Sequence, residues 1–151
     1  MANPVKPIPD GYHTLTPYLT VHGAAQLIDF LKQAFDAQEH SRTARPDGTV
    51  MHADLQIGDS HLMVSEATEQ WKARSTGLYM YVPDTDATYR RALEAGATSL
   101  MEPGDQFYGD RNAGVEDAFG NSWWIATHVE DVAPEEMERR EKEWMEKKAQ
   151  G

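Results

Sequence analysis

Apolar and polar positions along the chain alternate between two periods, one typical of strands and the other of helices. Residues 12–21 alternate and are rich in Thr and Tyr, which predicts a strand. In the next segment, apolar side chains recur every three or four residues, which predicts an amphipathic helix. The side of this helix expected to be buried carries Ala24, Leu27, Ile28, Leu31 and Phe35.

The same order of elements occurs twice. Residues 38–67 read as three strands, because turn-forming residues at 46–48 and 58–59 interrupt them. After a linker, a strand ending at Val82, a second helix and three short strands follow. Val21 and Val82, each ending the first strand of its module, are 61 residues apart. This period predicts a twofold duplication of a βαβββ module. The second helix should end at Gly96 and bury Tyr89, Ala92 and Leu93.

The last segment is strongly charged. Glutamates crowd its start and lysines its end, which complements the dipole of a helix. Its thin apolar stripe leaves two interpretations, a solvated terminal helix or a helix that binds a partner. The predicted divisions are an extended arm at 1–11, a domain at 12–130 with modules at 12–67 and 77–130 around a linker at 68–76, and the helix at 131–151.

Composition narrows the classes of partner. The net charge of −11, from 14 basic and 25 acidic residues, argues against a nucleic-acid partner. No apolar run approaches the roughly 20 residues of a membrane helix, so no membrane partner is expected. The absence of cysteine excludes disulfides and thiolate chemistry and fits a reducing cytoplasm. Prolines stand where a signal peptide would be apolar, so a cytoplasmic location is expected.

Several sequence strings resemble a known family. "LTVHGAAQLIDFLKQAF" stands early in the first module, and "VEDAFGN" precedes the last strand of the second. With "MHADLQIGD", "DQFYGDR" and "WWIATHVEDV", they resemble the vicinal oxygen chelate superfamily of glyoxalases, bleomycin-resistance proteins and extradiol dioxygenases, in particular its PhnB-like branch. The resemblance implies an α+β fold. Its two tandem βαβββ modules would form a curled mixed sheet, with helices on the convex side, a ligand cavity on the concave side and a C-terminal helix added. It also implies a homodimer.

The resemblance also indicates where a metal would bind. Metal-dependent members place four ligands, usually His, Glu or Gln, on the first and last strands of the two modules. Here the aligned positions carry Thr16, Met63, Gly77 and Trp124. These residues cannot form a site for a hard divalent cation, so neither a metal nor another cofactor is expected. Side chains alternate along a strand, so Trp124 should face the cavity while Trp123 packs toward the helices.

Alternation predicts the remaining lining of the cavity. On the third strand, Met51, Ala53, Leu55 and Ile57 are expected to pack on the helices. Arg111 has two interpretations, a structural clasp with a nearby carboxylate (Asp105, Asp110 or Glu116) or recognition of an anionic ligand. His13, His22, His40 and His128 are expected at the surface. The full predicted ligand-binding set is Thr16, Tyr18, His52, Asp54, Met63, Tyr79, Gln106, Tyr108, Arg111 and Trp124.

Two functions follow as hypotheses. The leading one is a metal-free small-molecule binder of the glyoxalase/bleomycin-resistance type, whose acidity would suit a cationic aromatic ligand stacked on Trp124. The alternative is an enzyme of the lyase, isomerase or dioxygenase kind. It would use His52 as a general base, or a metal site displaced to His52, His61 and Glu116. The question of catalysis stays open and leans toward binding. A role in interaction through the C-terminal helix is a third hypothesis.

Overall fold

The computed structural model of the chain describes residues 4–151. The first three residues of the predicted N-terminal arm lie outside this range, and 4–17 form only turns, bends and irregular chain. From Tyr18 onward, strands and helices alternate in the order β1 Tyr18–Val21, α1 Ala24–Phe35, β2 Gln38–Ala44, β3 Val50–Ile57, β4 Ser60–Glu66, β5 Gly77–Tyr81, α2 Thr85–Glu94, β6 Thr98–Asp105, β7 Asp110–Glu116, β8 Ser122–His128 and α3 Pro134–Gln150.

The chain divides into two compact units, each with one four-stranded mixed sheet. The first unit runs to Thr76 and includes Ala118–Asn121; the second holds the remaining residues from Gly77. Strand order is β1-β4-β3-β2 in the first sheet and β5-β8-β7-β6 in the second. In each sheet the first and last strands of the module pair in parallel, and the other pairs are antiparallel. The predicted α+β fold of two βαβββ modules and a C-terminal helix is confirmed.

In the first unit, α1 packs on one face of its sheet. All five residues of its predicted buried side are buried, and the helix contacts β3 and β4. The sheet face that it covers is apolar and buried through Leu19, Ala53, Leu55 and Val64. Because neighbouring residues on a strand point to opposite sides, the residues between these form the second face of the sheet.

The start of α1 is held by an acidic side chain from the end of β4. The carboxylate of Glu66 accepts hydrogen bonds from the backbone N–H groups of Gly23, at 3.0 Å, and Ala24, at 2.9 Å. These amides have no partner within the helix, and a negative charge is favourable at a helix N-terminus. Glu66 therefore joins the helix to the sheet on which it packs.

In the second unit, α2 begins at Asp84, whose side chain accepts from the Ala87 N–H at 3.1 Å. The helix ends at Glu94, and Gly96 follows with a φ of 110°, as the predicted stop requires. Tyr89 and Ala92 are buried as predicted. Leu93 is only half-buried, so its predicted burial is wrong, because the buried face includes Thr85 and Thr88 and is centred away from Leu93.

Two strands differ from the pattern read from the sequence. The first begins at Tyr18 rather than Tyr12, because Pro17 has no N–H to donate to the sheet; its carbonyl accepts from Met63 N at 2.9 Å. On β3, Met51 is exposed, although it was expected to pack on the helices. Thr43 pairs with His52 and Ala44 with Val50. Met51 is therefore the extra residue of a bulge, which breaks the alternation.

The C-terminal helix α3 begins with Pro134 in its first turn and buries none of its residues. Arg140 ties it to the preceding segment by donating to both carboxylate oxygens of Glu130, at 2.8 and 2.9 Å, and to the Phe107 carbonyl at 3.1 Å. The Trp144 ring lies 5.6 Å from that of Phe107. Among residues 4–151, no helix has the length and apolar character needed to cross a membrane.

Candidate functional site

Aromatic and polar side chains share the face of the second sheet opposite α2. The register aligns Tyr79, Trp124 and Gly114 in one row across β5, β8 and β7. The next row on this face is Tyr81, Ala126 and Asn112, and the last pair is His128 and Asp110. Trp123 points to the other face, where it is buried and its ring N–H donates to Asp117 at 2.8 Å. The two adjacent tryptophans thus serve opposite faces of one sheet.

Trp124 lies against a strand position that has no side chain. A Cβ atom built on Gly114 would overlap two atoms of the Trp124 ring. The backbone of Gly114 is outside the left-handed region, so the glycine is needed here for space and not for its conformation. Because β7 carries no Cβ at this point, the indole can approach the backbone closely. The result is a half-buried aromatic surface beside the exposed Tyr79.

A buried carboxylate organises the polar end of this face. Asp110 Oδ2 accepts hydrogen bonds from the hydroxyl groups of Tyr79, at 2.6 Å, and Tyr81, at 2.9 Å. Its other oxygen, Oδ1, accepts from Nδ1 of His128 at 2.9 Å. On its far side, His128 donates from Nε2 to Asp131 at 2.7 Å. Since a carboxylate only accepts, both ring nitrogens of His128 carry protons in this arrangement.

The ionisation of these groups follows from their contacts. Burial by itself would raise the pKa of Asp110, but hydrogen bonds from Tyr79, His128 and Tyr81 more than offset it and leave the pKa below its usual value. The carboxylates of Asp110 and Asp131 raise the pKa of His128. Burial and the Asp110 carboxylate raise the pKa of Tyr79. The cluster therefore holds a carboxylate, an imidazolium and neutral phenols at pH values near 6.

Asn112 completes the cluster. Its Nδ2 donates to the hydroxyl oxygens of Tyr108, at 2.7 Å, and Tyr79, at 3.1 Å. Its Oδ1 is buried and lacks a hydrogen-bond partner within the described chain. Tyr108, from the turn between β6 and β7, is therefore held by Asn112, a residue outside the predicted ligand-binding set. The alternation of Asp110, Asn112 and Gly114 along β7 was the sequence signal that could have placed them together.

A second polar cluster lies on the first sheet. Asp54 is buried, and its Oδ1 accepts from Nδ1 of His61 at 3.0 Å. The hydroxyl of Tyr12 donates to Oδ2 of the same carboxylate. The rings of Tyr12 and His61 stack with their centroids 4.0 Å apart. The ring of His40 also stacks on that of His61, at 5.1 Å. Asp54 thus fixes the orientation of His61 and attaches the segment before β1 to the sheet.

Other predicted site residues are distributed around these clusters. Tyr18 and Met63 are register partners on the same face as Asp54, and the Tyr18 ring lies 5.9 Å from that of His52. Asp54 therefore orients His61, whereas His52 lies beside the ring of Tyr18. Thr16 lies just before β1 and is half-buried.

In the second unit, two predicted residues have other contacts. Arg111 points toward α2 and donates to both oxygens of Asp86, at 2.8 and 2.9 Å, and to Asp105 at 3.2 Å. This is a clasp, and Asp86 was absent from its expected partners because only folding brings α2 to β7. Gln106 lies in the chain after β6, where its N–H donates to the Asp110 carbonyl at 2.7 Å.

The side chains at the four positions predicted to correspond to the family's metal ligands do not fit a divalent cation. Met63 offers a thioether, Thr16 a neutral hydroxyl, Trp124 no donor atom to a metal and Gly77 no side chain. In the described part of the chain, no three or more His, Cys, Asp or Glu residues come together in a way that could hold a metal ion.

Two βαβββ modules, each with a helix on one face of its sheet and polar and aromatic groups on the other, define a class of small α+β domains. The sequence matches the family described as "Glyoxalase/Bleomycin resistance protein/Dioxygenase superfamily" over residues 12–125. The chain belongs to this superfamily. Membership supports a small-molecule-binding or enzyme-like function.

The chain is also similar to individual proteins, and solved structures share its fold. An uncharacterized protein of Mycobacterium bovis is 37% identical over 135 residues, which cover 82% of this chain and 89% of that protein. The crystal structure of TioX from Micromonospora sp. ML1 superimposes with a TM-score of 0.63 at 24% identity, covering 76% of this chain and 99% of TioX. A Bacillus cereus structure named a putative 3-demethylubiquinone-9 3-methyltransferase, PhnB protein, gives 0.59 at 19% identity over 76% and 99% of the two chains.

Proposed function

We propose that this protein binds a small planar molecule without a metal ion, in the manner of the glyoxalase/bleomycin-resistance type. The ligand would lie against the aromatic face of the second sheet. One observation carries the proposal: Gly114 lets the indole of Trp124 lie close to β7, next to the exposed Tyr79. Small-molecule sites are lined mostly by apolar and aromatic side chains with a few hydrogen-bonding groups, and this face combines the same kinds of side chain.

Tryptophan emission tests this proposal. Titration with bleomycin and with planar heteroaromatic probes should quench or shift the emission, and Trp124→Phe should abolish most of that change while the circular dichroism spectrum stays native. Trp71→Phe and Trp144→Phe are the matched controls, because both rings are exposed and neither residue is part of a strand of the second sheet. A ligand response that survives Trp124→Phe unchanged would disprove the proposed location.

A separate experiment tests the proposal that ligand binding needs no metal ion. Elemental analysis of the purified protein, before and after incubation with Ni²⁺, Zn²⁺, Mn²⁺ or Fe²⁺, should give a substoichiometric metal content. Glyoxalase and ring-cleavage assays on the same samples should show no turnover. Stoichiometric metal together with turnover would overturn the metal-free proposal and favour an enzyme.

A specific geometry favours the enzyme as a second candidate. The buried carboxylate of Asp54 lies 3.0 Å from Nδ1 of His61 and orients its ring. A carboxylate that orients an imidazole supports a role as general base, so we propose His61 for that role in place of His52. If the protein catalyses proton abstraction, His61→Gln should abolish turnover and His52→Gln should retain it. Equal loss in both variants would contradict the assignment.

Further proposals rest on the family. We propose that the protein is a homodimer of the PhnB-like branch in the cytoplasm, in line with the PhnB protein among its structural neighbours. We also propose that the family domain spans 12–130, with an exposed linker at 68–76 between modules. Limited proteolysis should then cut first within 68–76 or at the chain termini, and early cleavage within a module would contradict these boundaries.

A further inference from the structure

One buried oxygen on the aromatic face has no hydrogen-bond partner. Asn112 is only 2% exposed, and its Oδ1 is the single buried side-chain nitrogen or oxygen within residues 4–151 for which no partner exists. A buried acceptor without a donor destabilises a protein, and such groups are rare in folded chains. The position of this oxygen beside the proposed ligand surface points to a function.

The contacts around Asn112 fix which way its amide faces. The single proton of the Tyr79 hydroxyl is donated to Asp110 at 2.6 Å. Toward Asn112 the Tyr79 oxygen can therefore only accept, and it needs the NH₂ group opposite it. The same NH₂ group donates to Tyr108 at 2.7 Å. Exchanging the two ends of the amide would place its oxygen against the Tyr79 oxygen, so the unpartnered atom is the carbonyl oxygen.

The charges nearby indicate what kind of donor suits this oxygen. Asp110 already accepts three hydrogen bonds, from Tyr79, Tyr81 and His128. His128 pairs with this carboxylate and, through its other ring nitrogen, with Asp131. The acceptor left over is a neutral amide oxygen. A neutral N–H or O–H group suits it, because burying a cation costs far more than burying a neutral donor and an amide oxygen carries no full charge to offset that cost.

Asn112 lies close enough to the aromatic surface for one small ligand to reach both. Asn112 and Gly114 are two residues apart on the same face, which is roughly 7 Å, and Trp124 covers Gly114. A fused two-ring system spans about that length. In the structure the oxygen is shielded from solvent, so a ligand that reaches it must displace a neighbouring side chain. Tyr108, whose hydroxyl accepts from Nδ2 of the same amide, is partly exposed.

We propose that Asn112 Oδ1 accepts a hydrogen bond from the ligand, and that the ligand is a neutral planar heteroaromatic compound with an N–H or O–H group on its ring. The inference rests on the proposed function, because it assumes that the ligand stacks on Trp124. It goes further by naming the chemical class of the ligand and the atom that selects it.

Two probes that differ by one donor test the inference. 2-Quinolone carries a lactam N–H on a planar two-ring system, and its N-methyl analogue lacks only that donor. Binding is measured by calorimetry to the full chain, and to Asn112→Leu after its fold is verified by circular dichroism. The wild-type protein should bind 2-quinolone on the order of tenfold more tightly than the N-methyl compound. In Asn112→Leu the two affinities should agree within about twofold.

The outcomes separate this inference from the proposed function. Equal binding of both probes to the wild type, weakened by Trp124→Phe, would leave the stacking surface in place and overturn the role of Asn112. Failure of both probes to bind would also overturn the inference, whereas the fluorescence titration with other planar compounds decides the proposed function. If Asn112→Leu does not fold, the comparison of the two probes on the wild type is decisive by itself.

Discussion

Gly114→Ala is the sharpest perturbation of the proposed ligand surface. A methyl group at this position would overlap the ring of Trp124, and inserting a methyl into a packed site costs about 1–3 kcal/mol. Replacing a glycine whose backbone suits alanine contributes about 0.4–1 kcal/mol of stability in the opposite direction, because the unfolded chain loses freedom. The net expectation is a destabilisation of about 1–2 kcal/mol, with the indole displaced from the strand.

Urea unfolding followed by circular dichroism measures this change, and Gly77→Ala supplies the matched control. Gly77 is also a strand glycine outside the left-handed region, but a Cβ there meets no atom within 4 Å. Gly77→Ala should therefore be neutral or stabilising by up to about 1 kcal/mol. In a Trp124→Ala background the cost of Gly114→Ala should vanish. If Gly114→Ala and Gly77→Ala have the same effect, the close packing of Trp124 on β7 is refuted.

Four further results are expected. Leu31→Ala should lower the free energy of unfolding by about 2–5 kcal/mol, since Leu31 is fully buried; a loss below about 1 kcal/mol would contradict the packing of α1. Glu66→Ala should cost about 0.5–2 kcal/mol in the same assay, because two helix amides lose their acceptor. The pKa of His128 is raised, so its contribution to stability is complete below about pH 6.5 and declines as the pH rises through its folded-state pKa. His128→Gln should flatten that part of the stability profile, and an unchanged slope would argue against the Asp110–His128 contact. Light scattering should give twice the 17.0 kDa chain mass, and a monomer mass would exclude the proposed homodimer.

Much of the fold could be predicted because it depends on local periodicity. The buried side of α1 follows from the spacing of its apolar residues, and all five residues predicted on that side are buried. The repeated order of predicted strands and helices along the sequence indicates two modules without any knowledge of tertiary contacts. Alternation also placed Trp123 in the core, because adjacent residues on a strand cannot share a face. Each of these features is set within a single element.

Local patterns failed where neighbouring strands impose a change. Alternation put Met51 in the core, but pairing with β2 makes it the extra residue of a bulge and leaves it exposed. The strand at Tyr12 was expected from its composition, yet Tyr12 instead bonds to Asp54 across 42 positions of sequence. In both cases a contact with a distant segment determines the conformation, and the local sequence pattern carries no information about that segment.

The candidate site shows the same division. The sequence by itself determined that Trp124 opposes Trp123 on its strand, because adjacent strand residues face opposite sides. Only the tertiary structure decided that Arg111 donates to Asp86 on α2. It also brought Tyr79, Asp110 and Asn112 together in a way that leaves the amide oxygen of Asn112 without a donor. Hydrogen bonds between distant segments depend on strand register and helix packing, and those are fixed only when the whole unit folds.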